Sequence, residues 1–168
     1  MNENWILETP RLYLRRFEKS DAENLFLLNL DPEVIQFTGD ISFENIPDAQ
    51  RFLTNYDHYE KHDFGRWAVI EKSSDEFLGW CGLKYTPDSD EYDIGFRFFK
   101  KYWNHGFATE AAKACVNLGF EKYQLQTIVG RARKENGASI KVLEKIGLTY
   151  NHDYDFDGKE GVVYSISK

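Results

Sequence analysis

A strand-like run, Tyr92-Asp93-Ile94-Gly95-Phe96-Arg97-Phe98-Phe99, is followed almost at once by Tyr102-Trp103-Asn104-His105-Gly106-Phe107-Ala108-Thr109-Glu110-Ala111-Ala112. From about Phe107 to Tyr123 the alanine-rich spacing predicts a helix. A strand, a short glycine-bearing loop and a helix start together present free backbone N–H groups at a helix N-terminus. Such a place attracts a phosphate or pyrophosphate. Glu110 suits the helix dipole but would repel an anion if it pointed forward, so it is expected to face sideways or away.

The rest of the chain reads as a mixed α/β domain spanning residues 1–168 without linker or repeat. Residues 11–17 alternate as a first strand, and Ser20-Asp21 is placed to cap a helix that Asp31-Pro32 ends. Short helical patterns begin at Glu33 and at Pro47-Asp48, the latter carrying Phe52, Leu53, Tyr56 and Tyr59 near helical spacing. Two strands, 66–71 and 77–85, flank a Ser73–Glu76 turn. After the loop and helix come a strand at 126–133, a helix capped by Asn136 and closed by Gly147, and two strands around Asp157-Gly158.

The net charge of −7 argues against nucleic acid, which needs a basic surface. Cys81 and Cys115 form neither a disulfide framework nor a zinc pattern and read as buried thiols, and no metal-ligand spacing is present. The N-terminal residues are not basic and no long apolar run follows, so no membrane contact is expected and the cytoplasm is the default location.

Four segments in order carry a resemblance. These are Leu7-Glu8-Thr9-Pro10-Arg11-Leu12-x-Leu14-Arg15, Asp93-Ile94-Gly95-Phe96, the Tyr102–Ala111 loop, and Asn136-x-x-Ser139-x-x-Val142-Leu143-Glu144-Lys145-Ile146-Gly147-Leu148. Together they resemble the GNAT superfamily of N-acetyltransferases, and within it the ribosomal-protein alanine acetyltransferase (RimJ/RimL-like) branch. The resemblance implies an α/β (α+β) fold with a mixed central sheet of about seven strands flanked by helices. It also implies acetyl-CoA as cosubstrate and an amine acceptor, a protein N-terminal α-amine or a small molecule, attacking the thioester directly in a ternary complex. Members often pair as homodimers, although no feature of this sequence defines an interface. The alternative is an acyl-CoA-binding module or sensor without catalysis.

Carried over residue by residue, the resemblance assigns the CoA pyrophosphate to backbone amides of Trp103, Asn104, His105, Gly106, Phe107, Ala108 and Thr109. Asn104 stands where the family often has glycine, and asparagine tolerates the left-handed backbone this requires. Lys100 replaces a family proline; it and Lys101 either offset phosphate charge or are solvated. The pantetheine arm would lie along Phe96, Arg97 and Phe98, where a strand N–H polarises the thioester carbonyl. Asn136 and Ser139 match positions near the thiol. Many members place a tyrosine acid where Leu143 stands, so Ser139 or water becomes the donor to the departing thiolate.

Glu91, Asp93 and Gly95 share one strand face. Asp93 matches the family's frequent glutamate and reads either as a base acting through water or as a solvated strand-end carboxylate; Glu91 is the second candidate. Phe37, Trp67, Trp80, Tyr85 and Tyr154 are aromatic candidates for the acceptor pocket. An α-amine of pKa ~7.8 is roughly a tenth neutral at pH 7, against about a few ten-thousandths for a lysine-like amine of pKa ~10.4. A weak base therefore favours an α-amino acceptor.

Overall fold

The computed structural model describes residues 4–168. Its elements are β1 (Trp5–Glu8), β2 (Leu12–Arg15), α1 (Ala22–Leu30), α2 (Pro32–Ile35), α3 (Ile46–Asn55), α4 (His58–His62), β3 (Arg66–Glu71), β4 (Phe77–Thr86), β5 (Glu91–Phe98), α5 (Phe107–Glu121), β6 (Thr127–Arg133), α6 (Gly137–Lys145), β7 (Thr149–Phe156) and β8 (Lys159–Ser167). They form one sheet in the order β1-β2-β3-β4-β5-β6-β8-β7. Its eight strands are one more than the approximate number expected. The extra one arises because the Thr9–Leu12 turn, closed by Thr9 N–H donating to the Leu12 carbonyl at 2.8 Å, separates β1 from β2.

Every neighbouring pair is antiparallel except β5 and β6, which run parallel and share one registered pair, Asp93 with Val129. Beyond that pair the two strands separate. On its other side β5 stays in register with β4 from Glu91–Thr86 to Phe98–Gly79.

The sheet is covered on both faces. Helix α5 lies against β4 and β5, and its stripe of Ala111, Ala112, Cys115 and Gly119 is buried. A Cβ on Gly119 would meet Ile128 Cδ1 at 2.9 Å, so the small residue permits the close approach. This core includes Leu12, Trp67, Leu83, Ile128 and Leu143, while α1 and α3 lie over a second cluster of Leu25, Ala68, Ile70 and Phe77. Cys81 and Cys115 are free thiols within the first core.

Local signals held with two exceptions. The helical spacing through Tyr56 and Tyr59 breaks at Tyr56, whose extended backbone ends α3 before α4 begins. Asp21 does not cap α1. Its carboxylate instead receives Arg15 at 2.8 and 2.9 Å and the Glu18 N–H at 2.7 Å. A bidentate charge-assisted pair outcompetes a single cap bond. At the far end, Gly147 takes φ +100° and donates to the Glu144 carbonyl at 3.1 Å, closing α6 as its glycine promised.

Two outcomes follow from this packing. Asp21 is 2% exposed, so Asp21→Ala leaves the Arg15 charge buried without its partner. A loss of roughly 3–5 kcal/mol is expected in urea denaturation. His58 Nε2 accepts the Tyr85 N–H at 3.1 Å. Burial, then the nearby His62, Arg66 and Lys84, push its pKa from 6.5 down to about 4. The unfolded chain therefore takes up this proton first, and stability falls as pH drops from 6.5 towards about 4. Denaturation midpoints measured across that window are expected to fall less steeply for His58→Gln.

Candidate active site

The loop between β5 and α5 is shaped by two left-handed residues. Asn104 has φ +63° and Gly106 φ +79°. Asparagine thus adopts the backbone expected of it, and Gly106 sits at the cap position of α5. The first helical bond there runs from Glu110 N–H to the Gly106 carbonyl at 3.0 Å, and no side chain caps the turn. The N–H groups of Phe107, Ala108 and Thr109 are thereby left to face solvent or an anion. His105 is fixed by its Nδ1 against the Trp103 carbonyl, 2.7 Å, and by its ring stacked on Phe107.

Glu110 faces sideways. It accepts from Thr9 Oγ1 at 2.6 Å, from the Arg11 N–H at 3.0 Å and from Arg11 Nε at 2.7 Å. Burial pushes its carboxyl up, but the hydrogen bonds from Thr9 and Arg11 outweigh this and hold it below the ordinary glutamate range. Arg11 then donates from Nη1 to the His105 carbonyl at 2.9 Å and lies 4.4 Å over the Phe107 ring. The β1–β2 turn thus straps the loop. The strap, Thr9-Pro10-Arg11, lies within the first of the four family-like segments, where the sequence marks the residues but not their contact with the loop. Lys100 is ion-paired with Glu33, and Lys101 lies over the Tyr102 ring.

Along β5 the backbone alternates. Phe99 N–H donates to the Leu78 carbonyl at 3.0 Å, so by period two Arg97 bonds towards β4 and Phe96 and Phe98 point towards β6. The Phe98 carbonyl is taken by the Trp103 indole N–H at 3.0 Å. Phe96 lies beyond the Asp93–Val129 pair, so its N–H and carbonyl face the opening between β5 and β6. Of the three residues expected to line the pantetheine arm, Phe96 has its backbone open to it. The Arg97 side chain crosses instead to the α1 side, donating to Asn29 Oδ1 at 2.8 Å and Asp40 Oδ2 at 2.7 Å.

On the α1–α3 side of the opening stand the two carboxylate candidates. Asp93 is not a solvated strand end: its Oδ1 meets Arg66 Nη2 at 2.6 Å, and both side chains are largely buried. Gly95 makes room for that guanidinium, since a Cβ there would stand 2.6 Å from Arg66 Nη2. Glu91 Oε2 is ion-paired with Arg131. Each carboxylate thus has one oxygen committed to an arginine. Across the opening, Asn136 caps α6 by accepting the Ser139 N–H, 3.2 Å, and its Nδ2 donates to Ser139 Oγ at 2.9 Å. The serine hydroxyl proton therefore remains available. Leu143 is a core residue; a Cβ on Gly130 would come within 2.5 Å of its Cδ2.

Three of the expected aromatics gather here, each beside an arginine. Trp80 lies under Arg66 and Arg97, Tyr154 under Arg131 and Phe37 under Arg133. Trp67 is fully buried in the core, and Tyr85 packs edge-on against His62 and tilted against Tyr92. Of these arginines the sequence points only to Arg97, and for its backbone; the side chains of Arg66, Arg131 and Arg133 carry no local signal. No cluster of His, Cys, Asp or Glu suited to a metal, and no helix long and apolar enough to cross a membrane, occurs among the described residues.

The strap gives a direct test of loop order. Arg11 is 44% exposed in its side chain, so Arg11→Ala is expected to change global stability by about 1 kcal/mol or less. Amide exchange at Gly106–Thr109, followed by mass spectrometry, is expected to accelerate.

The sequence profile described as an Acetyltransferase (GNAT) domain matches residues 11–149. The uncharacterized N-acetyltransferase p20 of Bacillus licheniformis is 30% identical over 144 residues, covering 84% of this chain and 81% of that protein. A GNAT-family acetyltransferase from Bacillus anthracis superposes with a TM-score of 0.83 at 25% identity, covering 97% of this chain and 98% of its own. The ribosomal L7/L12 α-N-protein acetyltransferase RimL, solved in complex with coenzyme A, shares the fold with a TM-score of 0.81 at 14% identity, over 97% of each chain. With its uncapped loop, strapped helix start and parted parallel strands, the chain belongs to the GNAT family of N-acetyltransferases.

Proposed function

We propose that this N-acetyltransferase takes the acetyl group from acetyl-CoA and passes it to a primary amine by direct attack within a ternary complex. The observation that supports the reading is the uncapped start of α5, which follows directly on the strand whose Phe96 backbone is left open beside the β5–β6 gap. The amides of Phe107, Ala108 and Thr109 would hold the pyrophosphate. The donor's pantetheine would occupy the strand position that β6 vacates.

The chain's own groups then have distinct tasks. Phe96 N–H stabilises negative charge developing on the acetyl oxygen. Ser139 donates to the departing thiolate, its hydroxyl oriented by Asn136. Asp93 and Glu91 act through water and through the carboxylate oxygen that does not face an arginine. This arrangement carries the amine's proton away through water rather than to a carboxylate in direct contact.

Calorimetry with coenzyme A, run beside thiol release from acetyl-CoA against a panel of amines, tests this. Binding and turnover are expected. Ser139→Ala is expected to lower kcat by roughly 10²-fold with little change in the KM for acetyl-CoA. Binding without turnover on any amine would favour the sensor reading, and failure to bind coenzyme A would overturn the assignment of the loop.

A further inference from the structure

Four arginines, Arg66, Arg97, Arg131 and Arg133, project from one face of β3, β5 and β6 in a chain whose net charge is −7. They fall into two kinds. Arg66 and Arg131 are 17% and 21% exposed, and their partners Asp93 and Glu91 are buried beside them at 15% and 27%. Those pairs neutralise each other in place. Arg97 and Arg133 are buried as deeply, 10% and 16% exposed, but their partners Asp40 and Glu135 stand at the rim at 55% and 65%. A carboxylate in water offsets a buried cation weakly.

The two outer arginines also stand level. Each lies four residues beyond the Asp93–Val129 pair, one on each side of the opening. Both reach the same segment, Arg97 through Asp40 and Arg133 over the Phe37 ring. In both, as in Arg131, Nε is buried and has no hydrogen-bond partner; what separates Arg97 and Arg133 from Arg131 is that their carboxylate partners stand in solvent. A buried guanidinium N–H without an acceptor calls for an explanation, and two such arginines on the strands that flank one opening match an oxyanion, which accepts paired guanidinium hydrogens.

We propose that Arg97 and Arg133 bind an anionic group on the acceptor, so that the substrate is a primary amine that also carries a carboxylate. The proposal rests on the acetyl-transfer reading above and gives that site its substrate class. Arg97 stands on the same strand as Phe96, with its guanidinium carried to the α1 side at Asn29 and Asp40, and a series of α-, β- and γ-amino acids reads the spacing of carboxylate and amine. The neutral amine nitrogen bonds to the acetyl carbonyl carbon, the carbon–sulfur bond breaks, the amine releases a proton to water and the thiolate takes one up. The products are an N-acetylated acid and free coenzyme A. A polyamine would instead set its charges against the arginines.

The test compares α-, β- and γ-amino acids with their own carboxamides and with spermidine, read as kcat/KM by thiol release. In parallel, the N-acetylated acids are titrated into the protein saturated with coenzyme A. At least a tenfold preference for one acid over its amide is expected, together with binding of its acetylated product. Arg97→Gln and Arg133→Gln are expected to collapse the acid-to-amide ratio, and Arg97→Lys to restore part of it. Asp40→Asn, which removes the rim carboxylate, is expected to raise the ratio, an effect a merely structural role would not produce. Equal use of acids and amides, a preference for spermidine, or coenzyme A binding without binding of any acetylated acid would overturn the proposal. Loss of coenzyme A binding itself would overturn the acetyl-transfer reading beneath it.

Discussion

The parting of β5 from β6 is the constraint on which the site depends. A parallel pair held at one registered position leaves backbone donors and acceptors of Phe96 without a neighbouring strand. Buried backbone groups are almost always satisfied, so an opening of this kind is stable only where water or an extended ligand completes it. Everything nearby serves to hold it open. On one side β5 is tied to β4 over its whole length, and on the other β6 is tied to β8 from Thr127–Ser167 to Arg133–Gly161. Neither strand can close the gap without breaking an antiparallel ladder.

The two faces of the opening differ in chemistry. Towards α5 the groups are main-chain amides and a strapped helix start, an arrangement indifferent to side-chain identity beyond Gly106 and Asn104. Towards α1 and α3 they are charged and aromatic side chains, where Arg66 and Arg131 hold carboxylates in fixed orientation and Trp80, Phe37 and Tyr154 lie flat beside guanidinium groups. Arginine suits such a place because its planar charge is weakly hydrated and stacks on aromatic rings. On the proposed reading the first face serves the donor and the second selects the acceptor.

The sequence disclosed these two faces unequally. The loop was legible because backbone demands leave marks: Gly106 and Asn104 at left-handed positions, alanines where α5 approaches the sheet, Asn136 and Gly147 at the ends of α6. β3, β5 and the core of β4 were legible from alternation and turn residues. The arginine cluster was not, because its members come from three strands and pair with residues from 2 to 57 positions away. Nothing local distinguishes a buried arginine from a solvated one. Asp21 misled for a similar reason: its local pattern fits a helix cap, and only the fold brings Arg15 close enough to claim its carboxylate.

Leu143 fills the space beneath Gly130, its side chain 2% exposed at residue level and pressed close to where a Cβ at 130 would be. That contact ties two positions together in the history of the protein. A larger ring at 143 has no slack to enter, since interiors are packed to near crystal density. Exchanging this leucine for tyrosine would therefore require β6 or its neighbours to move as well. On the proposed reading, in which Ser139 protonates the thiolate, the proton donor is thereby coupled to how the core is packed.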